Sequence, residues 1–119
     1  MDLIARTIDW HRRRRREPRA RYRTVVHVTN RAALPSELSR RTVYTIGDEA
    51  NPKRALFMCP CGHTHHIDLP LTQNPREQRA WQLCNGPQGV TLKPSIDIIN
   101  NERRCHFWLE HSKVAWARD

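Results

Sequence analysis

From Arg23 onward, apolar residues come in short alternating or β-branched runs and do not recur at helical spacing. Eight runs read as strands: Thr24–Val28, Thr42–Ile46, Ala55–Cys59, His66–Leu71, Trp81–Cys84, Val90–Leu92, Cys105–Glu110 and Val114–Trp116. Turn signals separate them at Leu34-Pro35-Ser36, Gly47-Asp48, Asn51-Pro52, Asn85-Gly86-Pro87, Asn100-Asn101 and His111-Ser112-Lys113. This spacing predicts a mainly β fold, a compact antiparallel domain, with a small α+β arrangement as the alternative and one helical turn near Pro75–Arg79. Before Arg23 the texture differs. Residues 3–17 place Leu3, Ile4, Ile8 and His11 along one side of a helix that runs into the Arg12–Arg16 block and stops at Pro18.

The chain has 119 residues, the size of one domain. It is 38% hydrophobic and 7% aromatic, with a mean hydropathy of −0.80. That permits a modest core, which a bound metal would reinforce. The net charge of +9 suggests an anionic partner until it is located: residues 1–23 hold nine arginines against three acids, net +6, leaving +3 for the rest. The expected organisation is therefore an Arg-rich arm over 1–23 and a folded domain over 24–119. Adjacent arginines repel and are solvated unless an acidic partner meets them. Nucleic-acid binding through Arg12–Arg16 is the lesser expectation. No run of 18 or more apolar residues occurs, and the first residues lack the layout of a secretory signal, so a cytoplasmic protein without a membrane partner is expected.

In a reducing compartment, clustered cysteines read as metal ligands before disulfides. Cys59-Pro60-Cys61-Gly62-His63-Thr64-His65-His66 offers five thiols and imidazoles within eight residues. Zinc takes four such donors in a tetrahedron. On an extended backbone Cys59, Cys61, His63 and His65 share a face, and Pro60 and Gly62 can bend the segment into a knuckle. A distant cysteine, Cys105, would let the ion staple two strands. The expected site is Cys59, Cys61, His63 as the first of the histidines, and Cys105, holding a structural Zn2+. Cys84 has no clustered partner and is expected in the core.

Three motifs in order carry a resemblance: Cys59-Pro-Cys-Gly-His63, Val90-Thr-Leu-Lys-Pro-Ser-Ile96, and Cys105-His-Phe-Trp-Leu109 with Val114-Ala-Trp116. Together with Leu34-Pro35, Val43-Tyr44 and Gly47-Asp48 they resemble a bacterial family known as domain-of-unknown-function family 6527, over about residues 25–117. His63 stands where the commoner pattern has a cysteine, as does Arg103, for which Cys105 would substitute at the same strand parity.

The resemblance implies a zinc-stabilised serine peptidase that cleaves after the tail of a bacterial ubiquitin-like protein, in maturation or deconjugation. It also implies partnership with that protein and its activating and conjugating enzymes. Ser95 matches the family's serine, His106 would be the base, and Asp48 the acid behind it, with Asp97 as the alternative. If Cys105 faces the metal, its neighbour His106 faces away. The competing readings are a non-catalytic zinc module for a protein or nucleic acid, and a zinc hydrolase using an open ligand position. Trp81, Trp108 and Trp116 are expected in the core or on strand faces, and His111 in a hairpin turn.

Overall fold

The computed structural model describes residues 14–100 and 102–118. Within them the backbone is β1 (Arg14–Arg16), β2 (Thr24–Val28), β3 (Thr42–Asp48), β4 (Asn51–Met58), β5 (His66–Pro70), β6 (Gln82–Gly86), β7 (Gly89–Asn100), β8 (Arg103–Glu110) and β9 (Lys113–Ala117). They form a five-stranded sheet, β1-β9-β8-β7-β6, and a four-stranded sheet, β2-β3-β4-β5. The pairs are antiparallel except β2–β3. No helix among the described residues is long and apolar enough to cross a membrane.

Two-residue periodicity decides which side chains meet. Ala55 and Phe57 of β4, Ile67 and Leu69 of β5 and Val43 of β3 are buried from one sheet. Leu92 and Ile96 of β7, Cys105, Phe107 and Leu109 of β8 and Val114 of β9 join them from the other. The result is one core between two facing sheets. β3 is buried on both sides. A parallel partner needs a crossover, and the β2–β3 crossover carries Leu34 and Leu38 onto Tyr44, Ile46 and Leu56 on the outer face. Asp68 of β5 fastens that crossover, pairing with Arg54 of β4 and Arg31 of the crossover at 2.6 Å each.

The charge-based division at residue 23 is crossed by backbone contacts. The N–H groups of Arg21 and Tyr22 both reach the Ser112 carbonyl, at 2.7 and 3.2 Å. The fully buried Tyr22 ring meets Phe57 edge-on at 5.2 Å, and its hydroxyl donates to the Met58 carbonyl at 2.5 Å.

Four local expectations are corrected. Residues 14–16 form a strand against β9 instead of the end of a helix, because pairing satisfies their backbone groups; Leu3, Ile4, Ile8 and His11 lie outside the described residues. Pro75–Arg79 makes a turn closed from Glu77 N–H to the Asn74 carbonyl and no helix. β7 does not stop at Leu92: Pro94 sits in a bulge, where a missing N–H costs no ladder bond. Cys84 is exposed, on the face of β6 opposite inward-facing Leu83. His111 and Ser112 do form the β8–β9 turn, both with positive φ.

Candidate active site and metal centre

The β4–β5 hairpin and β8 bring together one donor set. Cys59 follows β4, Cys61 and His65 lie in the connecting loop, and Cys105 projects inward from the other sheet. Their ligand atoms all lie within 4.8 Å of one another, so this Cys3His group could hold a metal ion. The loop is closed by Cys59 N–H donating to the His65 carbonyl at 3.0 Å, and Gly62 takes φ +86° within it. That turn rotates His65 inward, with Nε2 at 3.1 Å from Cys61 Sγ. His63 is exposed, and its backbone N–H donates to the same sulfur. The histidine of the set is thus His65. Strand parity does not apply through a knuckle that reverses the chain.

The electrostatics suit a cation. Burial pushes the Cys59 and Cys105 thiols above their ordinary range, a penalty that a metal's charge would offset. At Cys61 burial acts upward too, but the His63 N–H and the neighbouring thiols outweigh it and the net shift is downward. Burial, with the positive charges of His63, Arg103 and His66, holds His65 below the usual histidine value. It therefore presents the neutral ring that a ligand requires. Three thiols and an imidazole are the kind of four-donor set found in structural zinc sites.

On β8 the alternation that turns Cys105, Phe107 and Leu109 inward turns His106 and Trp108 to the opposite face. His106 pairs across the ladder with Asp97. Between Leu92↔Leu109 and Ile96↔Phe107, three residues of β7, Lys93, Pro94 and Ser95, oppose Trp108 alone. A bulge of this kind re-aims side chains. Ser95 Oγ lies 3.2 Å from His106 Nε2, and the Ser95 carbonyl accepts from Trp81 Nε1 at 3.3 Å. The Trp108 ring lies 5.4 Å from the imidazole. Behind the imidazole, Asp97 Oδ2 is 4.0 Å from His106 Nδ1. Both Asp97 oxygens accept from Arg104, at 2.9 and 2.7 Å. Those hydrogen bonds, with the charge of His106, keep its carboxyl below the usual range against a small burial effect.

Asp48 is elsewhere, at the β3–β4 turn, where its carboxylate accepts from the Ala50 N–H at 3.2 Å. Ser95, His106 and the alternative acid Asp97 are brought together; Asp48 is not among them. The hairpin signal at Asn100-Asn101 could have identified Asp97. With Asn100 opposite Arg103, three steps outward place Asp97 opposite His106. Arg104 and Trp81 carried no separate signal in the sequence.

A model of the family described as bacterial ubiquitination-like system serine protease (BubE) matches residues 30–117. The match spans all seven residues of the two constellations, the Cys3His group and Ser95, Asp97 and His106. No curated protein and no solved structure matches the chain.

Proposed function

Since the chain belongs to the serine protease family of bacterial ubiquitination-like systems, we propose that Ser95 is its nucleophile, His106 the general base and Asp97 the orienting acid. The observation that carries this reading is the Ser95 Oγ to His106 Nε2 approach of 3.2 Å, with Asp97 behind Nδ1. Ser95 Oγ attacks the scissile carbonyl as its proton passes to Nε2. His106 returns that proton to the leaving amine, and a water activated by the same nitrogen hydrolyses the acyl ester. At 4.0 Å Asp97 acts on the imidazolium through its charge, and a shift of about 1 Å on substrate binding would bring it into hydrogen-bond range.

The substrate in this reading is the tail of a bacterial ubiquitin-like protein, cut in maturation or deconjugation alongside its activating and conjugating enzymes in the cytoplasm. Cys59, Cys61, His65 and Cys105 would hold a structural Zn2+. That ion would fix the strand that presents His106 from the opposite face, with all four positions taken by protein. This closed donor set disfavours the zinc-hydrolase alternative. The nucleic-acid alternative rests on Arg12–Arg16, of which Arg12 and Arg13 lie outside the described residues.

The test combines metal analysis with cleavage of a co-encoded ubiquitin-like precursor. Ser95→Ala should lower kcat by about 10³-fold or more, with metal content and thermal midpoint unchanged. Retained cleavage by Ser95→Ala would overturn the assignment.

A further inference from the structure

β7 is longer than the strand that covers it. β6 pairs with β7 only from Gly89 to Lys93, whereas β8 follows β7 on its other side as far as Asn100. Beyond Lys93, among the described residues, no strand lies on the β6 side of β7. The open stretch begins at Ser95.

Peptide planarity gives the direction of its hydrogen-bonding groups. The Ser95 carbonyl points to the β6 side, where Trp81 Nε1 donates to it. In a trans peptide the next N–H, that of Ile96, then points to β8. Along an extended strand the pairs alternate, so Ile96 and Ile98 bond to β8 while both backbone groups of Asp97 and of Ile99 face the open side. Asp97 and His106 are then a non-hydrogen-bonded pair with side chains close together, consistent with the Asp97 contacts to His106 and Arg104.

Natural edges are guarded by lysine, proline, bulges or short length. The other end of this sheet, β1, is three residues of arginine. Ile96-Asp97-Ile98-Ile99-Asn100 has no lysine, proline or bulge, its one charged residue, Asp97, is paired with Arg104 of the neighbouring β8, and its Ile99 side chain is 75% exposed.

We propose that the open edge of β7 from Asp97 to Asn100 binds the substrate as an added strand, an extended polypeptide tail read mainly through its main chain. This rests on the peptidase reading above. An antiparallel strand would run from Asn100 toward Ser95, in line with β6 and in the same direction. The acyl side of the substrate then lies along Ile99 and Asp97, its scissile carbonyl arrives at Ser95, and the leaving amine exits toward Lys93 and Pro94. Each end of the edge opens into a surface groove. One lies between the metal knuckle and Asn100, lined by Gly62, His63, Thr64 and Arg103; the other is lined by Ala80, Gln82, Lys93 and Pro94. The five steps from Ser95 to Asn100 span about 17 Å, so the peptide must be extended and free of its own structure there. Main-chain pairing supplies affinity in such additions. Ile99 gains a cross-strand neighbour.

The experiment uses the full-length Ser95→Ala protein and a synthetic peptide of the ubiquitin-like protein's C-terminal tail, N-methylated at one amide at a time. Binding should weaken at least tenfold for methyl groups at every second position and little at those between, and amide exchange should slow at Asp97 and Ile99 in the complex. Uniform tolerance of N-methylation, or binding that leaves those two amides unprotected, overturns the edge proposal even if wild type cleaves the precursor through Ser95. Period-two sensitivity with protection of both amides, but no cleavage by wild type, supports the edge and overturns the peptidase reading. A peptide that neither binds nor is cleaved overturns both.

Discussion

Two histidines two residues apart meet different fates in the Cys59–His65 knuckle. His65 turns inward to 3.1 Å from Cys61 Sγ, while His63 stays in solvent and contributes only its backbone N–H. His65→Ala should therefore abolish stoichiometric zinc binding and lower the thermal midpoint. His63→Ala should leave the metal content at one per chain, as measured by elemental analysis of protein purified without added chelator. Zinc retained in the first variant and lost in the second would reverse the assignment. At the same scale, Gly89 shows why some positions accept one residue only. It takes φ +117°, and a Cβ there would fall 2.3 Å from Ser112 Oγ. That hydroxyl accepts from the Val90 N–H, and the Ser112 carbonyl holds Arg21 and Tyr22, so a single buried turn residue links three segments.

Among the elements, the β2–β3 crossover depends on charge at its outer end. Partial burial pushes the Asp68 carboxyl up, but Arg54 and Arg31 outweigh it and the net shift is downward. The unfolded carboxylate then takes up a proton first as pH falls. The stabilisation is whole above the unfolded value of about 3.9 and is lost as pH drops through the lower folded value. Both arginines are substantially exposed, so screening limits the contribution to about 1 kcal/mol. Chemical denaturation of wild type and Asp68→Asn should differ by that amount at neutral pH and converge in acid, below the folded value. A gap that persists or widens in acid would show that another interaction secures the crossover. The β7 bulge is the other element with consequences, because three residues opposite one bring the Ser95 hydroxyl toward His106. Without the bulge the β7–β8 register on either side would differ.

For the whole molecule, the Cys3His group joins the two sheets near one end of the core, with Cys59 and Cys105 both 2% exposed. A structural zinc of this type contributes roughly 10–16 kcal/mol of apparent binding free energy, against about 5–15 kcal/mol for the net stability of a domain. Chelation should then unfold the protein or lower its thermal midpoint by tens of degrees, and zinc added during refolding should restore it. Full retention of the midpoint after verified metal removal would show that the core suffices alone. Since Cys105 and His106 are adjacent on β8, loss of metal should also abolish any Ser95-dependent cleavage, through the strand and not through the chemistry.

By itself the sequence determined the strand-rich fold, since β-branched runs broken by Gly, Pro and Asn leave few positions for a helix. It also marked the thiols as one donor set, and strand parity put Cys105 and His106 on opposite faces before any pairing was known. The resemblance singled out Ser95. Tertiary structure decided which histidine turns toward the thiols: strand parity put His63 and His65 on one face, and the knuckle that reverses the chain turns only His65 inward. It decided which carboxylate lies near the imidazole as well: Asp48 and Asp97 look alike in the sequence, and only the β7–β8 register places Asp97 beside His106. The β-strand at Arg14–Arg16 is likewise tertiary, since adjacent arginines repel and the segment is held as a strand by pairing with the edge that β9 offers. Alternation within one strand is local chemistry; which strand lies beside it is set by the burial of the whole core.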